Sequence, residues 1–311
     1  MPVSADTHST LGPVADASRV VTTEWLSANI GAPGVKIVEA DEDTFLYDVG
    51  HVPGAIKIDW RAELTDRTTH DWIDGSGFAE LMRTKGIGRD DTVVCYGDKL
   101  NGTAAAVVWL FRLFGHADVR LLDGGREAWI SEERDTTFEV PLVAYGDYPV
   151  VERADHTGRV LIHELRGELG TVALVDVRSS GEYTGEVTRI VDRPEEQTLR
   201  AGHIPTAANV PWTAALAADG RFRTRAELAQ IYAPALAGNP DRVVTYCRVG
   251  EHAAHTWFVL TELLGLADVR TYDGSWTEWA NAVRTPIAVG AEPGSAPTST
   301  AATPSATDSV A

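Results

Sequence analysis

The feature that most constrains the fold of this chain is an internal repeat. Residues 92–129 and 242–279 align without a gap at an offset of 150. The identical pairs include Val94 with Val244, Tyr96 with Tyr246, Gly115 with Gly265 and Trp129 with Trp279. So many matches at one offset indicate that one structural unit is written twice, and 311 residues are enough for two units of ordinary domain size.

The repeat extends upstream, where a Gly-His-x-Pro turn occurs once in each copy. Residues 50–53 match residues 202–205 at an offset of 152. Because both copies carry the histidine of this turn, we predict a structural hydrogen-bonding role for His51 and His203.

The repeat also sets the domain boundaries. A charge-rich insertion between Gly185 and Arg200 distinguishes the second copy from the first. The two ends of the chain lack periodicity and are rich in Ala, Ser, Thr and Pro, which predicts disorder. The predicted organisation is a disordered segment 1–18, a first domain 19–140, a linker 141–155, a second domain 156–289 and a disordered tail 290–311.

Short apolar runs alternate with helical patterns inside each copy, which predicts an α/β fold. The predicted strands cover residues 35–40, 92–96, 119–123, 173–177, 242–246 and 269–273, and they are short, apolar and rich in β-branched residues. Between the last two strands of copy two, Ala253, Trp257, Leu260 and Leu264 form one apolar helical stripe. A strand, a helix and a strand in this order predict a parallel sheet flanked by helices in each of two tandem domains.

The charge of the chain limits its ligands and partners. The net charge of −18 disfavours nucleic acid and acidic membranes as partners. No apolar run is long enough to span a bilayer, and the first residues do not resemble a signal peptide, so we expect a cytoplasmic protein. If such a chain handles a small anion, local arginines and backbone N–H groups must bind it.

One loop carries the pattern expected of a reactive cysteine. Residues 247–252 read Cys-Arg-Val-Gly-Glu-His and lie between the predicted strand 242–246 and the following helix. A loop that leads into a helix N-terminus presents unpaired N–H groups, so we expect the pKa of Cys247 to fall and its thiolate to be accessible. Gly250 allows the backbone to curl around the sulfur, and Arg248 adds a cation.

The other cysteine has different surroundings. Cys95 lies inside the apolar run Thr92–Tyr96, and we predict that it is a buried structural residue. The first-copy position that aligns with Cys247 is Gly97. The first domain is therefore predicted to lack a nucleophile.

These motifs together resemble one enzyme family. The Gly-His-Ile-Pro turn, the Asp-Val-Arg strand end, the Cys-Arg-x-Gly loop and the segment Tyr-Asp-Gly-Ser-Trp-x-Glu-Trp are similar to those of the rhodanese family of thiosulfate and 3-mercaptopyruvate sulfurtransferases. The resemblance covers about residues 20–288 and includes the tandem arrangement of an inactive first domain and an active second domain. The loop and the residues after it resemble the actinobacterial thiosulfate sulfurtransferases in particular.

The resemblance implies roles for individual residues. It makes Cys247 the residue that carries sulfur as a persulfide, Arg248 the loop residue typical of thiosulfate-preferring members, and Arg200 a contact of the anionic donor. The remaining loop positions implied to bind substrate are Val249, Gly250, Glu251 and His252. Possible secondary positions are Arg178, Asp59 and His70, and for Arg178 a structural ion pair is an equally good interpretation.

The resemblance is not complete at two positions. The family often has an arginine where this chain has Glu182, and a threonine or arginine where it has His252. Both differences remove a group that would contact an anionic substrate, and neither removes the nucleophile.

The resemblance also implies a reaction and its partners. The expected substrates are a small anionic sulfur donor and an acceptor such as cyanide, a thiol or a thioredoxin-like protein, with no cofactor. Thiosulfate is the expected donor, and 3-mercaptopyruvate is the alternative.

The same residues allow three other functions to be compared. A phosphatase of this fold needs Cys, five residues and then Arg, but the position after five residues is Ala253. His252 and His255 could share a metal ion, but no fourth ligand is evident, so we predict no metal site. A non-enzymatic persulfide carrier or sensor would contain the same Cys247 and stays open.

Overall fold

The computed structural model describes residues 3–6, 18–188 and 196–297. Most of the predicted terminal segments and part of the predicted insertion lie outside these described residues. Residues 3–6, which the sequence places in a disordered segment, contact the first domain: the Asp6 carboxylate accepts hydrogen bonds from the backbone N–H of Thr22 at 2.7 Å and from its hydroxyl at 2.6 Å. Residues 290–297 likewise contact the second domain, where the N–H of Thr206 donates to the Pro293 carbonyl at 2.6 Å.

The first domain contains five parallel strands in the order β1-β5-β4-β2-β3. Its strands are β1 (Val20–Val21), β2 (Val35–Glu39), β3 (Ala55–Lys57), β4 (Thr92–Tyr96) and β5 (Val119–Leu122). Its helices are α1 (Thr23–Asn29), α2 (Trp60–Glu63), α3 (Gly75–Thr84), α4 (Gly102–Leu113) and α5 (Gly125–Ser131). The central strand β4 is buried along its whole length, as its apolar sequence predicts.

The second domain contains four parallel strands in the order β7-β6-β8-β9. Its strands are β6 (Ala173–Asp176), β7 (Ala208–Asn209), β8 (Val243–Tyr246) and β9 (Val269–Thr271). Its helices are α6 (Asp155–Gly158), α7 (Ile162–Glu168), α8 (Ser180–Thr184), α9 (Arg225–Tyr232), α10 (Glu251–Phe258) and α11 (Ser275–Asn281), and a short π-helical segment, Val259–Leu263, continues α10.

The two sheets have the same topology. Arg159 pairs in parallel with Thr271 of β9, which is the place that β1 takes beside β5 in the first domain. The prediction of two tandem α/β domains, each with a parallel sheet flanked by helices, is confirmed.

The two domains share one hydrophobic core. Helix α4 of the first domain packs against helix α10 of the second, and their buried side chains belong to the same cluster. The contacts around this helix pair follow the repeat. The Asp123 carboxylate accepts from the N–H of Phe222 at 2.9 Å, and at positions 150 residues away the Asp273 carboxylate accepts from the indole N–H of Trp72 at 2.8 Å. Among the described residues, no helix is long and apolar enough to cross a membrane.

Candidate active site

Cys247 lies directly after β8, at the carboxyl end of a central strand of its sheet. Its side chain is buried, and its Sγ accepts a hydrogen bond from the N–H of Gly250 at 3.1 Å. The backbone N–H groups of Val249 and Ala253 also interact with the sulfur. The sulfur therefore lies inside a ring of backbone donors at the start of α10, as the loop sequence predicts.

Gly250 makes this curl of the loop possible. Its φ is +103°, a left-handed conformation that side chains disfavour, and a Cβ at this position would come within 2.8 Å of the Asp273 carbonyl oxygen. Both constraints require glycine here.

The pKa of Cys247 differs from the sequence expectation. Burial raises the pKa of the thiol above its ordinary value, and the backbone N–H groups of Ala253, Gly250 and Val249 only partly oppose this effect. The nearby Glu251 carboxylate raises the pKa further. The expectation of a lowered pKa is therefore wrong for this buried thiol, because the desolvation of the anion outweighs the N–H groups that would stabilise it.

Cys95 lies in the interior of β4, fully buried, and burial is the only cause that raises the pKa of its thiol. No N–H group opposes the burial of this thiol as it does at Cys247, which agrees with the structural role predicted for Cys95.

The loop backbone is fixed from the side of α11. The N–H of Cys247 donates to the Ser275 hydroxyl at 3.1 Å, and the Cys247 carbonyl accepts from the N–H of Trp276 at 3.1 Å. The Arg248 carbonyl accepts from the hydroxyl of Thr277 at 3.0 Å. These bonds hold the sulfur in one position relative to the ring of N–H groups.

Arg248 does not lie open to an anionic ligand. Its guanidinium donates to Glu182 Oε1 from two nitrogens, at 3.0 and 2.8 Å, and to the Glu196 carbonyl at 3.0 Å. Its side chain is only 7% exposed. Burial works to raise the pKa of Glu182, but the Ser179 hydroxyl and Arg248 outweigh it, so the carboxyl is ionised at neutral pH. Glu182, where the family resemblance leads one to expect an arginine, is thus the counter-ion of Arg248.

Arg200 has a structural role that the sequence did not predict. Its guanidinium donates to the carbonyls of Ala280 and Thr285 at 2.8 Å, of Trp279 at 3.0 Å and of Ala282 at 2.7 Å. These carbonyls lie at the end of α11 and just after it. The expected contact between Arg200 and the anionic donor is therefore not supported, because the guanidinium caps a helix C-terminus instead.

Arg178 forms the structural ion pair that was one of its two interpretations. It donates to the Asp176 carboxylate at 2.5 Å, and its guanidinium lies 4.4 Å from the ring centroid of Trp276. Both members of the pair are buried. The pair anchors the end of β6 beside the loop.

A cavity of about 280 Å³ is lined by first-domain residues, one of which, Arg61, lies 3.5 Å from the Glu251 carboxylate of the loop. Asp59 lines it and also caps α2, where its carboxylate accepts from the N–H of Ala62 at 3.0 Å. His70 is exposed on a neighbouring turn with a φ of +59°, and the described residues show no contact between it and the loop 247–252. Asp59 therefore lines this cavity, and His70 does not.

Arg61 lines the same cavity and is a residue that the sequence patterns did not predict. Its guanidinium is stacked on Trp60 at 4.9 Å and lies 3.5 Å from the Glu251 carboxylate of the loop. The signal that could have found it is the repeat: at the offset of 152, Trp60 aligns with Trp212, and Arg61 aligns with Thr213.

Three possible metal ligands meet beside the loop. The ligand atoms of Glu42, Glu251 and His252 lie within 4.8 Å of one another. His252 is stacked on Trp212, with ring centroids 4.4 Å apart. The other histidine of the predicted helix, His255, is buried and packs against the same Trp212 ring at 5.0 Å.

The repeat histidines have the structural role that the sequence predicts. The ring of His51 is stacked on Tyr47 at 3.7 Å, and that of His203 on Tyr183 at 3.6 Å. In each turn the Nδ1 atom is bonded to the carbonyl of the same tyrosine, at 2.8 and 2.9 Å.

The corresponding loop of the first domain is closed by its own side chains. Asn101 Oδ1 accepts from the N–H of Gly97 at 2.9 Å, which is a bond that the Cys247 loop does not contain. A Cβ on Gly97 would lie 2.2 Å from the Ala40 carbonyl oxygen. The first-domain position that aligns with Cys247 therefore carries no nucleophilic side chain and has no room for one.

Comparison with known proteins gives the family of the chain. The rhodanese-like domain matches twice, over residues 22–132 and 161–282. The chain is 54% identical over 280 residues to the thiosulfate sulfurtransferase of Corynebacterium glutamicum, which covers 89% of this chain and 92% of that protein. It is 57% identical over 297 residues to the SseA protein of Mycobacterium tuberculosis, and the alignment covers 96% of this chain and 99% of SseA.

Two other similar proteins indicate the range of related functions. The sulfur carrier protein TtuD of Thermus thermophilus is 47% identical over 277 residues, which covers 88% of this chain and 97% of TtuD. The crystal structure of Escherichia coli SseA, described as a 3-mercaptopyruvate sulfotransferase, superposes with a TM-score of 0.70 at 26% identity, covering 83% of this chain and 98% of that one. Because the family matches both repeats and the relatives are more than half identical over most of the chain, the chain belongs to the rhodanese family of sulfurtransferases.

Proposed function

We propose that this chain transfers a sulfane sulfur from thiosulfate to a thiophilic acceptor, cyanide or a thiol, through a persulfide on Cys247. The observation that carries the proposal is the ring of backbone N–H groups around the Cys247 sulfur at the start of α10. Such donors would stabilise the negative charge of the terminal sulfur of a persulfide, as they stabilise oxyanions in other enzymes.

The first half-reaction balances without a cofactor. The Cys247 sulfur, as the thiolate, forms a bond to the sulfane sulfur of thiosulfate, and the S–S bond of thiosulfate breaks, so sulfite leaves with the electron pair. The proton of the thiol goes to solvent. In the second half-reaction the acceptor takes the terminal sulfur, and Cys247 leaves as the thiolate.

Because burial raises the pKa of Cys247, the fraction of thiolate is limited before the donor binds, and binding of the donor must help to form the thiolate. A persulfide is larger than a thiol and places its charge one atom further out. The backbone N–H groups of Val249, Gly250 and Ala253, which interact with Sγ in the thiol form, are the groups that would meet this charge. Both cysteines are free thiols, which suits a reducing cytoplasmic environment.

Two observations support related functions of the same loop. The similarity to a 3-mercaptopyruvate sulfotransferase favours that compound as an alternative donor. The 47% identity to a sulfur carrier protein favours a protein as the final acceptor. Both alternatives use the Cys247 persulfide and differ only in the donor or the acceptor.

The test compares the two cysteines. Cys247→Ser is expected to abolish sulfur transfer from thiosulfate to cyanide, whereas Cys95→Ser is expected to retain most of it, because only Cys247 lies in the ring of N–H groups. Intact-mass measurement after incubation with thiosulfate is expected to show an adduct of about 32 Da, one sulfur atom, on the wild type and on Cys95→Ser.

The opposite pattern would end the proposal. If a folded Cys95→Ser protein lost transfer while Cys247→Ser kept it, the site would be wrong. If thiosulfate turned over without any adduct on Cys247, the covalent intermediate would be wrong.

A further inference from the structure

We propose that Arg61, from the domain without a nucleophile, is the cation that binds the anionic group of the sulfur donor at the mouth of the Cys247 loop. This inference rests on the proposed function and names a specificity residue for it. The chain has a net charge of −18, so an anionic donor depends on a local cation.

The arginines that the sequence offered for this role are engaged elsewhere. Arg248 is 7% exposed and bound to Glu182 at 2.8 Å, and Arg178 is 2% exposed and bound to Asp176 at 2.5 Å. Arg200 donates to the backbone carbonyls around the end of α11. A donor that used any of these three would first have to break short, buried hydrogen bonds.

Arg61 differs from them in both exposure and bond length. Its side chain is 46% exposed, and its guanidinium lies 3.5 Å from Glu251 and 3.7 Å from Glu196. These distances are longer than those of strong charge-assisted hydrogen bonds, about 2.7–2.9 Å, so the guanidinium keeps donors for a ligand. Stacking on Trp60 fixes the side chain and reduces the entropy lost on binding.

The position of Arg61 connects the cavity to the nucleophile. The cavity of about 280 Å³ is lined by both Arg61 and Glu42. Arg61 contacts Glu251, and Glu42 lies within 4.8 Å of Glu251 and His252. The Glu251 carboxylate is close enough to Cys247 to raise the pKa of its thiol. A ligand bound to Arg61 in this cavity is therefore separated from the Glu251 carboxylate of the loop by the guanidinium alone.

The cavity is lined by two cations, Arg61 and Arg67, and by two carboxylates, Glu42 and Asp59. Glu42 is paired with Lys99, and the Asp59 carboxylate accepts from the N–H of Ala62. About 280 Å³ is enough for thiosulfate or 3-mercaptopyruvate, and the two arginines would meet a sulfonate or carboxylate group while the sulfur end points to the loop.

The two copies of the repeat differ at the position of Arg61. Each domain places a tryptophan turn near the other domain's loop: Trp60 precedes Arg61 on the side of the Cys247 loop, and Trp212 lies 4.0 Å from the position of a Cβ on Gly102, beside the inactive loop. The residue after Trp212 is Thr213. The two turns therefore differ at the position of Arg61, although both reach the Cys247 loop, since Trp212 is stacked on His252.

The test measures donor kinetics of Arg61→Ala and Arg61→Lys with cyanide as the acceptor. Loss of a contact to a charged group corresponds to about a tenfold change or more, so we expect the KM for thiosulfate to rise at least about tenfold in Arg61→Ala. The kcat at saturating thiosulfate should change by less than about threefold, and Arg61→Lys should recover part of the affinity. The effect on the monoanionic donor 3-mercaptopyruvate should be smaller than that on the dianion.

The matched control is Arg223→Ala. Arg223 is 40% exposed, lines a surface cavity beside Ala214 in the second domain, and contacts Glu227 at 3.6 Å. It should leave the KM for both donors unchanged. An unchanged KM for thiosulfate in Arg61→Ala, or an equal rise in Arg223→Ala, would overturn the proposal. If wild-type protein forms no sulfur adduct with thiosulfate at all, the proposed function fails before Arg61 is tested, so the two failures are distinct.

Discussion

The buried histidine of α10 should make the protein sensitive to acid. His255 is fully buried between Trp212 and Phe222, with ring centroids at 5.0 and 5.2 Å, and neither ring nitrogen has a hydrogen-bond partner among the described residues. Burial first, and then the nearby His252, lower the pKa of His255 from 6.5 to about 3. The imidazole is thus neutral in the folded protein across the range in which it would be protonated in the unfolded chain.

The sign and size of the effect follow from this difference. Between about pH 6.5 and 3 the unfolded chain binds a proton that the folded protein does not, so the free energy of unfolding falls as the pH falls through this window. At pH 5, which is about 1.5 pKa units below the ordinary value, the loss is about 2 kcal/mol at about 1.36 kcal/mol per unit. This number holds for any folded pKa well below 5.

The assay is urea unfolding of wild type and His255→Phe at pH 7.5 and pH 5, followed by tryptophan fluorescence. Phenylalanine keeps the aromatic packing and cannot be protonated, so the variant should lose about 2 kcal/mol less than wild type between the two pH values. With a denaturant dependence of about 3 kcal/mol/M, this is a difference of about 0.7 M in the shift of the midpoint. Any packing cost of the larger ring occurs at both pH values and cancels.

A matched control and a second variant make the result decisive. His163 is exposed on α7, and His163→Gln should show the same pH dependence as wild type. His255→Leu also cannot be protonated, so it should show the same reduced loss of stability between pH 7.5 and pH 5 as His255→Phe. It replaces His255→Phe as the test if the phenyl ring disturbs the core. If both His255 variants lost as much stability on acidification as wild type, the argument that a neutral buried imidazole causes the loss would be refuted.

Two further predictions concern the loop itself. Gly250→Ala should lower the rate of transfer from thiosulfate to cyanide at least about tenfold, because a Cβ would come within 2.8 Å of the Asp273 carbonyl oxygen; Gly238→Ala, which has a φ of +85° and no atom within 4 Å of its Cβ position, is the control for backbone strain alone. An effect of equal size in both variants would contradict the role of the close approach. The rate of alkylation of Cys247 by iodoacetamide, measured in Cys95→Ser, should rise steadily from about pH 7 to about pH 9, because burial raises the pKa of the thiol and the reactive thiolate grows with pH. A rate that is constant over this range would show that the thiolate is already formed at neutral pH.

The sequence predicts the fold of each domain because the information is local and is given twice. The strands are short apolar runs, the helices carry one apolar stripe, and matching segments of the two copies form sheets with the same strand order. The Cys247 loop is predictable for the same reason, since its position between a strand and a helix places the sulfur among N–H groups.

The arginine assignments could not be reached in this way. Arg248 meets Glu182 across 66 residues of sequence, and Arg61 meets Glu251 across 190. No local pattern gives the partner of a long, flexible side chain over such separations. The resemblance to a family supplies residue types at aligned positions, but not the counter-ion that this chain places beside Arg248.

The pKa expectation failed for a different reason. The position of Cys247 at a helix N-terminus was correct, and its N–H groups do act to lower the pKa. The sequence did not show that the side chain is 1% exposed, and the desolvation of a buried thiolate outweighs several hydrogen bonds from backbone groups. The depth of a side chain depends on the packing of both domains, which a single loop does not encode.

The first domain has a structural role beside the Cys247 loop. Eleven of the twelve residues of α4 are buried, so this helix needs a partner on the side away from its own sheet, and α10 is that partner. The first residues of α10 supply N–H groups to the Cys247 sulfur, and its packing against α4 therefore fixes the geometry of the nucleophile. The first domain has no room for a cysteine at Gly97, but it supports the helix that follows the Cys247 loop and places Arg61 3.5 Å from Glu251 of that loop. If the proposed function holds, the first domain contributes to sulfur transfer across the interface, so Arg61→Ala should change donor binding while every residue of the Cys247 loop is kept.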